Sequence, residues 1–347
     1  MTKTNKKIYL NKIGDNVDFH TPLMGEFLED TYENCGKYAD GMEAKDNPLP
    51  IKFSWDSDKN YRYILKISEN ADMEDPWVFE TDECEYDVYN LKVGKRYYWT
   101  VIAMENGEVV NTAEVESFTT NDAPPRNLLV EGIVCNVRDI GGWKTLDGKK
   151  VKQGLIYRSS TLDDYDPTTG EERVFVDDIG KSRMKLLGIR TEIDFRMDSS
   201  EDKNYPPYGK TSSCLGDEVE YYHCPIMVGP ENYLKSINSL RTIFKLFADE
   251  SKYPITYHCA VGADRTGAIT YLLNGLLGVE KETLLKEYML TNFSKQYKFR
   301  PPINEGYVEI INNYEGTTLR DKIYNYLSVE IGISKDDLDF IIDYLTE

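Results

Sequence analysis

The hydrophobic period changes once along this 347-residue chain, across the segment Asn121-Asp-Ala-Pro-Pro-Arg-Asn127. Ahead of it, from Pro50, short runs alternate: Ile51-Lys-Phe-Ser-Trp55, Tyr61-Arg-Tyr-Ile-Leu-Lys-Ile67 with one slip, and Tyr97-Tyr-Trp-Thr-Val101. Polar turns at 56–60 and 105–107 separate them, and period two in turn-bounded runs predicts an antiparallel β-sandwich. Behind it, strands expected at 154–158, 191–195, 220–226 and 255–259 alternate with helices. The helices are expected at 180–187, 233–247, 265–277, 281–292, 318–327 and 335–345. That alternation predicts an α/β domain around a largely parallel sheet. Pro124 and Pro125 block both helix and ladder, which places the boundary near 122–126. Residues 1–45 are mixed and acidic, with Gly14, Gly25, Gly36 and Gly41 breaking any period, and read as an arm with one short helix over 24–34. The expected division is therefore an arm (1–45), a sandwich (46–121) and an α/β domain (122–347).

Charge narrows the choice of partners. Sixty acidic residues against 41 Lys plus Arg give a net charge of −19, a field that repels nucleic acid and anionic lipid. No run of about 18 apolar residues is present, so no membrane insertion is expected. Residues 1–7 are basic but no apolar stretch follows them, so the chain as written reads as cytoplasmic, with secretion left open. The six cysteines form no CxxC pair and there are only three histidines. No metal site, no cofactor and no disulfide framework is expected, and the thiols read as reduced.

The chemistry concentrates in Pro254-Ile-Thr-Tyr-His-Cys-Ala-Val-Gly-Ala-Asp-Arg-Thr-Gly-Ala268. An apolar strand ends at His258-Cys259, a small-residue loop follows, and an apolar helix begins. Strand, tight loop and helix N-terminus is an arrangement that binds phosphate, because successive N–H groups and the helix dipole converge there. Cys259 and Arg265 are separated by five residues, so a curled loop of Ala260, Val261, Gly262 and Ala263 sets thiol and guanidinium on one bound phosphate. Oriented N–H groups and Arg265 favour a nucleophilic thiolate, and Arg265 can fork onto two phosphoryl oxygens. Gly262 permits a close backbone approach, and the Thr266 hydroxyl can donate to the sulfur when it leaves phosphorus. A bare Cys-x5-Arg arises by chance about once in five such chains. Requiring the flanking His, Gly and Ser/Thr lowers that to roughly 10⁻⁵.

His-Cys-x-x-Gly-x-x-Arg-Thr-Gly resembles the signature of cysteine-dependent protein tyrosine phosphatases. Asn136-Val-Arg-Asp-Ile-Gly-Gly142, Gly154-Leu-Ile-Tyr-Arg-Ser-Ser160 and Gly188-Ile-Arg-Thr-Glu-Ile-Asp-Phe-Arg196 extend the resemblance to a bacterial branch of tyrosine and dual-specificity phosphatases. It covers about 127–347. Separately, Leu91-Lys-Val-Gly-Lys-Arg-Tyr97 followed by Trp99 and Val101 resembles the corner of fibronectin type III domains, where a tyrosine hydroxyl ties the backbone. The fold implied is multi-domain: an α/β phosphatase domain preceded by an all-β fibronectin type III-like sandwich.

A leaving phenolate or alkoxide needs a general acid. The resemblance implies Asp264, which holds the position of the branch's loop aspartate; Asp194, at a strand's carboxyl end, is the runner-up as acid or as a loop-positioning residue. Asp198 and Asp202 would serve if 198–202 were a mobile acid loop. Arg138 and Asp139 read as a local ion pair bracing the Gly141-Gly142 turn, with substrate contact as the second reading. His258 reads as holding the strand end or the thiolate. Cys224 reads as buried, with a redox pairing to Cys259 as the sharper alternative. The branch's loop lysine is Ala263 here, which weakens a multiply phosphorylated substrate. The expected activity is a metal-independent phosphomonoesterase on phosphotyrosine proteins or peptides, acting through a phosphocysteine. Its alternatives are an inositol-phosphate or phosphoinositide phosphatase, or a silent phosphopeptide-binding protein. The sandwich reads as a spacer or as a module for a protein partner.

Overall fold

The computed structural model describes residues 7–165, 169, 171–197, 210–303 and 305–347. The chain separates into two units: residues up to His20 with Pro48–Pro124, and Thr21–Asn47 with Pro125–Glu347. The arm is thus not a body of its own, and this corrects the division expected from periodicity. Its first part joins the sandwich through Tyr9–Leu10, which pairs antiparallel with Ile51–Asp56, and through Val17, bonded to both Thr119 and Asn121. Its second part joins the other unit.

In the first unit the alternating runs form strands because every second side chain has a core to enter. Ile51, Phe53 and Trp55 are buried on one strand, Tyr63, Leu65 and Ile67 on Arg62–Ser68, and Tyr97, Trp99, Val101 and Ala103 on Arg96–Glu105. Two antiparallel sheets share this core. One runs Tyr9–Leu10, Ile51–Asp56, Glu85–Val88. The other runs Trp77–Thr81, Arg62–Ser68, Arg96–Glu105, Glu108–Thr112, with Glu116–Thr119 also on Arg96–Glu105. Phe53 meets Trp99 edge-on at 5.0 Å, an aromatic arrangement that adds to area burial. The corner expected at Tyr97 has formed: the Lys92 N–H donates to the Tyr97 hydroxyl at 2.9 Å.

The second unit holds a six-stranded sheet in the order Glu220–His223, Thr191–Asp194, Ile255–His258, Ile156–Ser159, Arg138–Asp139, Arg126–Asn127. The first four strands are mutually parallel, and the last two each pair antiparallel with the strand before them. Asp264–Leu276 is the central helix, buried from Arg265 to Leu276, which is why its sequence lacks a polar face. Ile237–Phe247 buries one stripe (Leu240, Ile243, Phe244, Phe247), and Lys335–Leu345 buries Leu338, Ile341 and Leu345.

The arm's helix spans Pro22–Glu29, shorter than expected, capped by the Thr21 hydroxyl on the Met24 N–H. A 3₁₀ turn, Tyr32–Lys37, follows. Met24, Phe27, Cys35 and Ala39 enter the core of the second unit, and Phe27 lies 5.3 Å from Phe293. Backbone bonds from Gly41 to Asn292, Gln296 and Tyr297, and from Lys45 to Phe293, fix the rest.

Candidate active site

The loop between Ile255–His258 and Asp264–Leu276 is built by holding its carbonyls from outside. The Ala260 oxygen accepts from the Thr161 N–H at 3.2 Å, and the Val261 oxygen from Gln296 Nε2 at 3.1 Å. The Gly262 oxygen accepts from Asn136 Nδ2 at 2.7 Å and from Arg158 Nη2. In a trans peptide the N–H points opposite the preceding carbonyl. The N–H groups of Val261, Gly262 and Ala263 therefore turn away from these braces and into the loop, the geometry of an anion cradle. Gly262 takes φ +67°, and a Cβ there would sit 2.3 Å from the Ser159 carbonyl oxygen, so no other residue fits without moving the loop.

Behind the braces lies a buried charge cluster. Glu287 takes Arg138 Nε at 2.8 Å and Arg158 Nη1 at 3.0 Å. Arg158 Nη1 also donates to Thr270 Oγ1 at 3.1 Å, and the Tyr257 hydroxyl shares that threonine oxygen at 2.7 Å. Burial pushes the Glu287 carboxyl up, but the two guanidiniums outweigh it and hold it below its ordinary value. Burial and the neighbouring Arg158 push Arg138 down to about 10. Two of the motifs carrying the resemblance thus converge on one loop carbonyl, through Asn136 and Arg158.

Arg138 and Asp139 do not pair with each other. Neighbours on a strand point to opposite faces, so Arg138 goes to Glu287 and Asp139 to Arg126 at 2.8 Å. Asp139 still braces the glycine turn, accepting from the Gly141 N–H at 2.8 Å and the Gly154 N–H at 2.6 Å.

Cys259 is 1% exposed and sits at the strand's carboxyl end, with the loop and helix following it. Arg265 is buried in the first turn of the helix, its Nη1 donating to the Phe195 carbonyl at 3.3 Å. The buried Thr266 hydroxyl has no partner among the described residues, an unspent donor one residue beyond Arg265. Asp264 opens the helix, and its half-exposed carboxylate is met by Arg300, Nε to Oδ1 at 3.0 Å and Nη2 to Oδ2 at 3.2 Å. The Tyr288 hydroxyl lies 3.4 Å from the same carboxylate.

Asp194 sits at the carboxyl end of its strand, as expected. It is buried and forked by Arg196 (Nη2 at 2.6 Å, Nε at 2.9 Å), with the Tyr221 hydroxyl at 3.0 Å and His258 Nδ1 at 3.8 Å. Burial raises its carboxyl, and Arg196 and His258 more than reverse that, holding it well below the usual range. With these partners Asp194 acts as a strut under the strand ends, the positioning role that was one of its two expected readings. His258 belongs to the same network, Nε2 to Glu192 Oε1 at 3.0 Å, so it holds the strand end. The network continues from Arg196 to Asp163 at 2.9 Å. Asp198 and Asp202 lie outside the described residues. All six cysteines are free. Cys224 is buried, and burial followed by Asp194 pushes its thiol up to about 12.

Periodicity and spacing missed Gln296, Arg300, Glu287, Tyr233 and Cys135. Burial first, then the charges of Asp264 and Cys259, raise the Tyr233 hydroxyl. Burial, with added effects from Asp46 and Cys259, pushes Cys135 up to about 11, and Gln296 Nε2 lies 3.6 Å from its sulfur. A separate cleft of about 470 Å³, lined by Lys181, Lys185, Arg190, Glu218 and Glu220, lies at the amino ends of the strands, on the side opposite this chemistry. No cluster of three or more metal-ligating side chains exists among the described residues, and none of their helices is long and apolar enough to cross a membrane.

Comparison with known proteins settles the family. A family profile described as "Tyrosine phosphatase family" matches residues 129–347, more than half of the chain. The chain belongs to the tyrosine phosphatase family. Within this cysteine-dependent phosphatase family, a curated relative from Cupriavidus necator bears the name "Putative tyrosine-protein phosphatase". It is 23% identical over 195 residues, covering 48% of this chain and 64% of the relative, so the chain spans just under two thirds of that protein's length. Among solved structures, the core catalytic domain of the PP-IP phosphatase SIW14 from S. cerevisiae is 16% identical. The match covers 51% of this chain and 83% of that one, with a TM-score of 0.30. The fibronectin type-III domain of a human fibronectin type III domain containing protein 3 is 24% identical, covering 21% and 81%, with a TM-score of 0.18. Likenesses at those scores carry no argument about fold or substrate.

Proposed function

We propose that this protein hydrolyses phosphate monoesters, with phosphotyrosine in proteins or peptides as substrate, through a phosphocysteine. One observation carries the reading: three consecutive loop carbonyls are anchored outward between Cys259 and Arg265, leaving their peptide N–H groups turned into the loop. That cradle receives a phosphoryl group where Arg265 can fork onto two of its oxygens. The Cys259 thiolate attacks phosphorus; the S–P bond forms as the P–O ester bond breaks, and Asp264 gives its proton to the departing oxygen. Water then attacks the phosphocysteine, giving a proton to the Asp264 carboxylate as its O–P bond forms and the S–P bond breaks; phosphate leaves, and the thiolate returns with the Thr266 hydroxyl positioned to donate to it. No step draws on a metal.

The preference for a singly phosphorylated substrate rests on charge. Ala263 brings no cation to the loop, and the nearby guanidinium of Arg300 is taken up by Asp264. A polyanionic inositol phosphate would find little free positive charge at that edge.

The test is phosphate release in EDTA from a phosphotyrosine peptide, a phosphoserine peptide and an inositol polyphosphate, with Cys259→Ser alongside. Turnover of phosphotyrosine that vanishes in the variant is expected. Faster turnover of the inositol compound overturns the substrate while keeping the chemistry. No turnover of any of the three overturns the catalytic reading in favour of a silent phosphopeptide binder.

A further inference from the structure

Arg300 has no place in the loop motif, yet it is fixed with unusual care. Both of its backbone polar groups are held by one buried side chain, its N–H donating to Asn292 Oδ1 at 2.7 Å and its carbonyl accepting from Asn292 Nδ2 at 2.9 Å. Asn292 is itself tied to the Met289 carbonyl at the end of the preceding helix. The Arg300 side chain is 6% exposed, that of Asp264 36%, and two near-parallel bonds of 3.0 and 3.2 Å join them. Its remaining amino group, Nη1, is buried without a partner among the described residues.

These facts do not describe a stabilising salt bridge. A pair with one half-exposed partner contributes little to stability, whereas burying a guanidinium and leaving one of its donors unsatisfied is costly. The arrangement makes sense as alignment. Asp264 sits on the first helical residue, where an unrestrained carboxylate would rotate between solvent and the helix N-terminal amides. A rigid two-point fork removes that freedom and sets the plane of the carboxyl group.

We propose that Arg300 is a positioning residue that holds the Asp264 carboxyl in line with the ester oxygen of the substrate. This rests on the reading above, in which Asp264 protonates that oxygen. Asn292 is the anchor that keeps Arg300 in place. Lysine would keep the charge but offer no fork, so charge and alignment are separable at this position.

The experiment compares kcat/KM of the full chain, Asp264→Asn, Arg300→Gln, Arg300→Lys and the Asp264→Asn/Arg300→Gln double variant on 4-nitrophenyl phosphate and phenyl phosphate. That quantity reports steps up to formation of the phosphocysteine, and only the poor leaving group depends strongly on a proton donor. Expected is a fall of about 10–100-fold on phenyl phosphate for Arg300→Gln, with a change under about 3-fold on 4-nitrophenyl phosphate. Arg300→Lys should recover part of the loss, and the double variant should be no slower than Asp264→Asn. Equal losses on both substrates, or a double variant slower than either single one, would show a merely structural residue and overturn the proposal. If Asp264→Asn itself leaves the ratio of the two substrates unchanged, Asp264 is not the donor and the proposal falls with its premise. Thermal unfolding of each variant identifies misfolding; were Arg300→Gln to misfold, Arg300→Lys alone must still shift the substrate ratio toward the good leaving group.

Discussion

The guanidinium of Arg158 donates to the carbonyl oxygen of Gly262, 104 residues further along the chain. A strand residue thereby fixes the peptide plane whose N–H, on Ala263, faces into the loop. The helix Lys281–Met289 brings Glu287 to the same arginine, so loop shape depends on charge balance in the core.

Gly262→Ala should disable the loop. Its Cβ would need the space of the Ser159 carbonyl, and alanine at φ +67° adds strain of about 1–3 kcal/mol. A fall in kcat/KM on the order of 100-fold is expected, comparable to losing one preorganised donor. Gly14→Ala, with nothing within 4 Å of its added Cβ, is the control and should change neither activity nor stability. Steady-state kinetics and urea unfolding check both.

Glu287→Gln should destabilise the second unit by about 3–5 kcal/mol, because it leaves Arg138 and Arg158 buried without their carboxylate. Glu282→Gln, exposed on the same helix, should stay within about 0.5 kcal/mol. Urea midpoints at constant slope measure the difference; a small effect at Glu287 would mean that the cluster tolerates uncompensated charge.

Acid should unfold the second unit earlier than the first. Glu287 and Asp194 both have folded values below their ordinary ones, Asp194 strongly so. Such groups contribute stability that is fully present above the unfolded values of about 4. That contribution is lost as pH falls through the lowered folded values, since the unfolded chain takes up protons first. Stability should therefore be flat with respect to these groups above about pH 5 and drop steadily below about pH 4. Urea unfolding across pH 2–6 would reveal it, and Glu287→Gln should flatten the slope.

Tyr97→Phe should cost the sandwich about 1–2 kcal/mol by leaving the Lys92 N–H without its acceptor at the corner. Amide exchange at Lys92 reports it directly: faster exchange in the variant is expected, and unchanged protection would mean that water replaces the hydroxyl.

The loop and the parallel strands were legible because each depends on residues close in sequence. Cys259, Gly262 and Arg265 declare themselves by spacing, and Ile255–His258 by an apolar run between a proline and a small-residue loop. Arg300 was not legible: its partner is 36 positions away and nothing periodic surrounds it. The fork from Arg196 onto Asp194 was not drawn from the sequence, although the two stand in the same motif two residues apart, the spacing at which strand neighbours share a face. The strands Trp77–Thr81 and Glu85–Val88 escaped notice because their faces are only half-buried, and the helix Tyr307–Asn312 because six residues do not establish a period.

The divided arm has a consequence for how the protein is made. Asp46 bonds Ser294 across 248 positions, and Lys286 reaches back 258 to the Leu28 carbonyl. In topological terms the two units interleave, with residues 48–124 of the sandwich inserted between two pieces of the other fold, so a fragment begun at residue 122 would leave a trench where Phe27, Cys35 and Ala39 belong. During synthesis that first piece emerges and then waits, at about 5–20 residues per second, roughly ten to fifty seconds for the segment it will dock on. The sandwich can complete itself in that interval; the second unit cannot, because the ribosome releases two of its braces, Gln296 and Arg300, later still.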